Sequence, residues 1–151
     1  MSLSHESSES GAGGQGSASQ GSAGLAARLG EKSQLDFDIE FFDRVLERNP
    51  QFTDVLRCQG QLLSRKGRHR DALEVDRQLV SMRPHDAVAH YNLACSLALL
   101  GRSPDAIAAL RLALELGYDD FGYLETDNDL EALREDPAYL DLIQEYGIGE
   151  A

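Results

Sequence analysis

The sequence has no tryptophan, only two cysteines among its 151 residues, and no long run of apolar side chains. Two cysteines cannot form the disulfide framework of a small secreted domain, so we expect Cys58 and Cys95 to be free, partly buried thiols in a reducing cytoplasm. No apolar stretch approaches the roughly 20 residues that cross a bilayer. The first residues, MSLSHESSESGAGG, also lack the charged and apolar segments of a secretory signal. These absences predict a cytoplasmic protein.

Positive charge is scarce, with 14 lysines and arginines against 26 aspartates and glutamates, a net charge of −12. Most of the excess lies in residues 119–151, which sum to −10, whereas residues 51–118 sum to +2. Because an acidic field repels the phosphates of nucleic acids and anionic lipids, we expect neither nucleic acid nor membrane as the main partner. The unequal charges leave open a weak, salt-sensitive homo-oligomer that docks head to tail.

The first 33 residues are dominated by serine, glycine, alanine and glutamine and contain no aromatic side chain. Such a segment cannot bury enough apolar area to offset the entropy of ordering it, so we predict a disordered tail over residues 1–33. The rest of the chain is long enough for one folded domain, which we place at residues 34–146. We predict a flexible end over residues 147–151.

A repeat with a period of 34 residues organises this domain. The segment GRHRDA, which begins at Gly67, recurs as GRSPDA, which begins at Gly101. Four further pairs keep the same offset: Pro50 and Pro84, Gly60 and Ala94, Leu63 and Leu97, and Leu73 and Ile107. A fixed period of this length indicates a solenoid, in which each helix pair buries its apolar face against a neighbour.

Apolar spacing and helix-breaking residues set the predicted helices. A first helix covers 34–48 and ends before Pro50. Two helix pairs follow, with predicted helices at 53–66, 69–82, 86–100 and 103–116. Acidic capping elements complete the domain, with short helices near 119–124, 129–135 and 137–146. The predicted blocks are therefore 34–50, 53–84, 87–118 and 119–146.

The two helix pairs carry a common set of small and apolar positions. In the first pair these are Leu56, Gln59, Gly60, Leu63, Ala72, Asp76 and Pro84; in the second they are His90, Leu93, Ala94, Leu97, Ala106 and Leu110, with Tyr118 in the place of the proline. This pattern resembles the tetratricopeptide (TPR) repeat. The resemblance implies an all-α, short TPR-type solenoid of about two full repeats, a preceding half-repeat helix and C-terminal capping helices. Asp76 stands where an apolar residue usually packs, so we expect it to be exposed or paired.

The acidic end contains a second resemblance. It is similar to the closing module of some bacterial TPR proteins, in which a D-x-D-L-x-x-L-R-x-D-P segment ends the array. The matching residues are Asp127, Asp129, Leu130, Leu133, Arg134, Asp136 and Pro137. The family implies a scaffold that binds peptides or assembles proteins, rather than a catalyst.

In a TPR array the first helix of each pair lines a concave groove, and the resemblance therefore implies a set of partner-binding residues. They are Arg57, Cys58, Gln61, Tyr91, Asn92 and Cys95. One TPR subfamily binds the C-terminal carboxylate of a peptide with five polar and cationic residues. Arg57, Gln61 and Asn92 resemble three of these five residues. The other two fall on Gly122 and Thr126, which carry no charge, so we do not expect that clamp.

A basic cluster surrounds the first interhelix turn: Arg65, Lys66, Arg68 and Arg70. It is either a contact for an acidic partner or a solvated turn, and the sequence leaves both interpretations open.

Nothing in the sequence predicts catalysis, a metal or a cofactor. Cys58 and Cys95 do not begin a helix, where a thiolate would be stabilised, and no pair of cysteines or histidines has ligand spacing. The segment from Asp127 resembles a calcium loop, but Ala132 and Ala138 stand where that loop needs glycine and glutamate. We therefore expect a module that binds a protein or peptide in its groove, or alternatively a structural subunit that packs through its charged ends.

Overall fold

The structure, a computed structural model, describes residues 34–150. The predicted tail at 1–33 and the last residue, Ala151, lie outside the described residues. The contacts divide the chain into two units, Met1–Asp38 and Ile39–Ala151. Residues 34–38 form the first turn of a helix, and the repeats and the cap belong to the second unit.

Seven α-helices and one 3-10 helix make up the described chain, which contains no strand between residues 34 and 150. They are α1 (34–48), α2 (Thr53–Arg65), α3 (His69–Met82), α4 (Ala87–Leu99), α5 (Ser103–Glu115), α6 (Phe121–Thr126), the 3-10 helix (Asn128–Leu133) and α7 (Pro137–Glu145). The observed bounds lie within two residues of the predicted ones, and the all-α fold class is confirmed. None of these helices has both the length and the apolar character needed to cross a membrane.

Glycines in the left-handed conformation make the repeated turns. Gly67 has φ +84° and Gly101 has φ +75°, a region that side chains with a β-carbon rarely adopt. In each turn the amide of the residue after the glycine donates a hydrogen bond to the preceding helix. The Arg68 nitrogen lies 2.9 Å from the carbonyl oxygen of Leu63, and the Arg102 nitrogen lies 2.9 Å from that of Leu97. These bonds satisfy carbonyls at the helix end, and the conformation they need explains why glycine recurs at this spacing.

Helix α4 lies at the centre of the array. It packs against α3, α5 and the 3-10 helix, so side chains all around it are buried. A helix surrounded in this way needs apolar or small residues on every side, which explains why α4 lacks a polar face. The main core extends from Leu73 through α4 and α5 to Ile148, which is 4% exposed. Within the predicted flexible end, Ile148 is therefore packed onto the core, whereas Gly149 and Glu150 are exposed.

A close helix crossing in the first repeat depends on Gly60. A β-carbon there would lie 2.8 Å from Oδ1 of Asp76. The Asp76 side chain is buried, with 5% of its surface exposed, and its Oδ2 accepts a hydrogen bond of 2.5 Å from the Ser96 hydroxyl. Asp76 is thus paired, one of the two states expected from the sequence. In the second repeat Ala94 and Leu110 occupy the corresponding positions.

Asp127 and Arg134 hold the parts of the closing segment together. Asp127 precedes the 3-10 helix, and its Oδ1 accepts a hydrogen bond of 3.0 Å from the Asp129 amide. The guanidinium of Arg134 donates to the carbonyl oxygens of Leu124 at 3.1 Å and Asp127 at 2.9 Å. It also donates to the Tyr139 hydroxyl at 2.7 Å. One cation thereby joins α6, the 3-10 helix and α7.

We expect Gly60→Ala to destabilise the protein, although alanine favours a helix by about 1 kcal/mol over glycine. The new methyl group must displace the hydrogen-bonded Asp76 carboxylate, and such overpacking typically costs about 1–3 kcal/mol. In an Asp76→Ala background the clash is gone, so the same substitution should stabilise. Urea unfolding of the four proteins in this cycle measures the effect. If Gly60→Ala changed the free energy of unfolding with the same sign in both backgrounds, the close approach of residue 60 to Asp76 would not be the cause of the effect.

Candidate functional site

Two adjoining cavities lie along the first helices of the repeats. The first, of about 420 Å³, is bounded by residues from α2, α3, α4 and the acidic end: Gly60, Gln61, Ser64, Arg65, Asp76, Tyr91, Asn92, Cys95, Ser96, Tyr123, Asp127 and Asp129. The second, of about 360 Å³, is bounded by Gln61, Ala87, Val88, Tyr91, Asn92, Gly117, Tyr118, Asp119, Asp120 and Tyr123. They share Gln61, Tyr91, Asn92 and Tyr123, so they form one continuous depression, which we call the groove.

Three tyrosines form the aromatic wall of the groove. The rings of Tyr91 and Tyr118 stack in parallel, with centroids 4.2 Å apart, and Tyr123 lies 6.1 Å from Tyr91. Tyr91 is 2% exposed, whereas Tyr123 is 54% exposed. The stacked rings of Tyr91 and Tyr118 form the floor of the groove. The exposed ring of Tyr123 is the part of the aromatic wall that an incoming ligand can cover.

Asp127 connects α4 to the acidic end. Its Oδ2 accepts a hydrogen bond of 2.6 Å from the Tyr91 hydroxyl and a second, of 3.6 Å, from the Cys95 thiol. Asp127 and Cys95 are each 7% exposed. Each polar atom of this buried group thus has a partner, as burial requires.

The Cys95 thiol is held in its protonated form. Burial raises its pKa, and the carboxylates of Asp127 and Asp129 raise it further. Burial also raises the pKa of Tyr91, and the nearby Cys95 and Asp127 act in the same direction. A thiol with a raised pKa is a poor nucleophile, so the proximity of Cys95 to a carboxylate does not prepare it for covalent catalysis.

Cys95, Asp127 and Asp129 bring together three potential metal ligands, whose donor atoms lie within 4.8 Å of one another. Sequence spacing gave no indication of this cluster, because Cys95 is more than 30 positions from both aspartates. A metal ion would need the Cys95 thiolate, which burial and both carboxylates disfavour. Both oxygens of Asp127 already accept hydrogen bonds from within the chain.

Asp76 forms part of the groove wall where the two repeats meet. Burial raises its pKa from 3.8 to about 6, and the opposing effects of the Ser96 hydrogen bond and the Arg57 charge are smaller. Desolvation of the buried carboxylate therefore outweighs both stabilising interactions.

The structure divides the six predicted groove residues into two sets. Gln61, Tyr91, Asn92 and Cys95 line the groove. Arg57 and Cys58 do not border either cavity. The expectation that both thiols are partly buried is wrong for Cys58, which is exposed on α2.

Arg57 joins the two repeats. Its guanidinium lies 2.5 Å from Asp86 Oδ2, and Asp86 caps α4 by accepting from the Ala89 amide at 3.1 Å. Partial burial acts to raise the pKa of Asp86, but the bonds from Arg57 and from backbone amides outweigh it and lower that pKa. The guanidinium that was predicted to meet a partner is thus bound to a residue of its own chain.

The predicted basic cluster is distributed around the first turn. Arg65 borders the first cavity, and Arg68 lies 2.8 Å from Asp71 in an exposed ion pair. Lys66 has an interaction within the chain, and Arg70 is exposed. A contact between these residues and an acidic partner stays a prediction.

Sequence reasoning missed the residues that the acidic end contributes to the groove. Tyr123, Asp119, Asp120, Asp127 and Asp129 had been assigned only to a capping role. The available signal was the position of α6, which follows the second repeat as the first helix of a third repeat would. Its side chains therefore extend the wall that α2 and α4 begin.

No family model matches the chain, but it is similar to known proteins in sequence and in structure. Over 91 residues it is 32% identical to a chloroplastic protein of Arabidopsis thaliana, a match that covers 58% of this chain. The chain spans only 27% of the length of that relative. Among solved structures, the TPR-containing protein MamA (the MamA RS-1 ArsTM double mutant) superimposes with a TM-score of 0.56 at 20% identity, covering 78% of this chain and 71% of that one. The fold is therefore TPR-like.

We predict that Asp76 makes stability depend on pH. Because its pKa rises from 3.8 to about 6 on folding, the folded state binds more protons between these values, and its stability falls as the pH rises through this range. The shift corresponds to about 3 kcal/mol.

Asp76→Asn keeps an acceptor for Ser96 and removes this titration. Relative to wild type, the variant should therefore be stabilised by about 2 kcal/mol more at about pH 7 than at about pH 4, as measured by urea unfolding. Asp105→Asn, at an exposed carboxylate, is the control for loss of one negative charge. An equal gain at both pH values would contradict the assignment to Asp76.

Proposed function

We propose that this protein is a non-catalytic interaction module that binds a peptide or a partner protein in the groove. The observation that carries the proposal is the continuous groove along α2, α4 and α6, with its combined aromatic and amide surface. The TPR-like fold supports it in general, because such folds are scaffolds for protein interaction. The match to a much longer chloroplastic protein concerns only part of that protein, and we retain a reducing cytoplasm as our proposed location.

The chemistry of the groove suits an extended peptide. The side-chain amides of Gln61 and Asn92 can each donate and accept hydrogen bonds, which matches the alternating groups of a peptide backbone. Tyr123 offers a largely exposed ring that gains burial when a side chain covers it. Tyr91 is already packed and holds the floor in place. Binding therefore needs little rearrangement of the free protein.

We expect the double variant Gln61→Ala and Tyr123→Ala to lose its partner while remaining folded, because both side chains are exposed in the free protein. The measurement is affinity capture from the source cells, with quantitative identification of the retained proteins. Leu140→Ser, on the exposed surface of α7, is a matched control that should retain the wild-type set.

Circular dichroism should give equal helical content for the three proteins. Identical capture by the folded groove variant and by wild type would exclude the groove as the binding surface.

The alternative function is that of a structural subunit that associates with itself through its charged regions. The observation in its favour is the contrast between residues 51–118, at +2, and residues 119–151, at −10. Complementary charges of this kind are screened by salt.

Sedimentation velocity tests this alternative directly. Self-association through charge predicts larger species at about 50 mM salt that dissociate at about 500 mM salt, because the Debye length shortens several-fold. A monomer under both conditions would rule the alternative out.

A further inference from the structure

The charged residues of the groove are predominantly acidic. Among the described residues that border it, Arg65 is the single cation, and five are carboxylates: Asp76, Asp119, Asp120, Asp127 and Asp129. These carboxylates come from separate elements, because Asp76 belongs to α3 and the other four follow α5 in the sequence. The acidic character is therefore a property of the assembled surface.

Two of these carboxylates are buried and hydrogen-bonded only to neutral groups of the described chain. Asp76 is 5% and Asp127 is 7% exposed. Their hydrogen bonds come from the hydroxyls of Ser96 and Tyr91, the Cys95 thiol and a backbone amide. Buried carboxylates are usually paired with cations.

Six arginines of the described chain form ion pairs with carboxylates that do not border the groove. Ion pairs between residues 34 and 150 use Glu40, Asp71, Glu74, Asp86, Asp105 and Glu145. The groove thus combines desolvated negative charge with open volume, and both are complementary to a cation from outside.

The tyrosines add a second feature that favours a cation. The face of an aromatic ring attracts ammonium and guanidinium groups that lie within about 6 Å of its centre. Tyr123 is the exposed ring, and it borders the same cavity as Asp127 and Asp129. Because these groups share one cavity, a long basic side chain can place its alkyl stem on the ring and its charged head at the carboxylates.

We propose that the groove selects a basic segment of its partner, with an arginine or lysine side chain bound between Tyr123 and the carboxylates of Asp127 and Asp129. This inference rests on the proposed function and specifies the chemistry of the ligand. Burial raises the pKa of Asp76 to about 6, and an adjacent cation would stabilise its charged form. An acidic segment fits poorly, because the described residues that border the groove include five carboxylates and a single cation, Arg65.

A short fluorescent peptide of arginine and serine is the probe, and binding to the full chain is followed by fluorescence anisotropy. Two matched peptides carry citrulline, the neutral isostere of arginine, or glutamate at the arginine positions. We expect the arginine peptide to bind, the citrulline peptide to bind at least tenfold more weakly and the glutamate peptide not to bind.

A protein with a net charge of −12 attracts any cationic peptide, so the protein variants must separate the groove from the general field. Asp119→Asn with Asp129→Asn removes two charges from the groove. Glu131→Gln with Glu135→Gln removes two charges from exposed residues of the acidic end that do not border the groove. The groove pair should weaken binding of the arginine peptide about tenfold, and the outer pair less than twofold.

Equal weakening by the two pairs, equal binding of the arginine and citrulline peptides, or no binding of the arginine peptide would each overturn the inference. The proposed function fails separately, by unchanged partner capture in the Gln61→Ala and Tyr123→Ala variant. If that variant loses its partner while the arginine and citrulline peptides bind with equal affinity, the proposed groove function is supported and the preference for a basic segment is contradicted.

Discussion

The hydrogen bond between Tyr91 and Asp127 is the contact on which the groove depends. The Tyr91 hydroxyl lies 2.6 Å from Oδ2 of Asp127, and this bond joins the central helix α4 to the acidic end. The other carboxylate oxygen of Asp127 caps the 3-10 helix. The backbone carbonyl of Asp127 accepts a hydrogen bond from Arg134. Because Tyr91 also stacks on Tyr118, the floor, the wall and the closing helices are fixed relative to one another.

Departures from the repeat pattern are concentrated where this groove forms. At the helix crossing, the second repeat has Ala94 against Leu110, a compact apolar pair, whereas the first has Gly60 against Asp76. The buried Asp76 carboxylate raises the free energy of the folded state at neutral pH, and an apolar residue would avoid that cost. The first repeat therefore places a desolvated carboxylate on the wall of an open cavity, at a position where the second repeat has a leucine.

The helices could be predicted from the sequence because their determinants are local. Gly67 and Gly101 set the turns through their own backbone conformation, and the apolar spacing between them is read directly along the chain. The closing segment was also recognisable, since Leu130 and Leu133 are completely buried and Asp136 caps α7 as the motif suggests.

The site was less accessible to sequence reasoning, because its contacts join residues far apart in the chain. Arg57 has the position of a groove residue, but whether it is available depends on Asp86, 29 residues later. The meeting of Cys95 with Asp127 and Asp129 depends on how the acidic end docks on α4. No period or local spacing encodes that docking. The sequence therefore predicted Gln61, Tyr91, Asn92 and Cys95 from repeat position, and missed Tyr123 and the aspartates after Gly117.

The central claim is that the groove is where a basic segment binds, and residue-resolved NMR tests it most directly. Titrating the isotope-labelled full chain with the arginine peptide should shift amide signals of Gln61, Asn92 and Tyr123 first and most. The exposed residues of α7 should remain near their free positions. Shifts spread evenly over the acidic helices, with none concentrated at the groove, would mean that the peptide senses only the net charge, and would contradict this account.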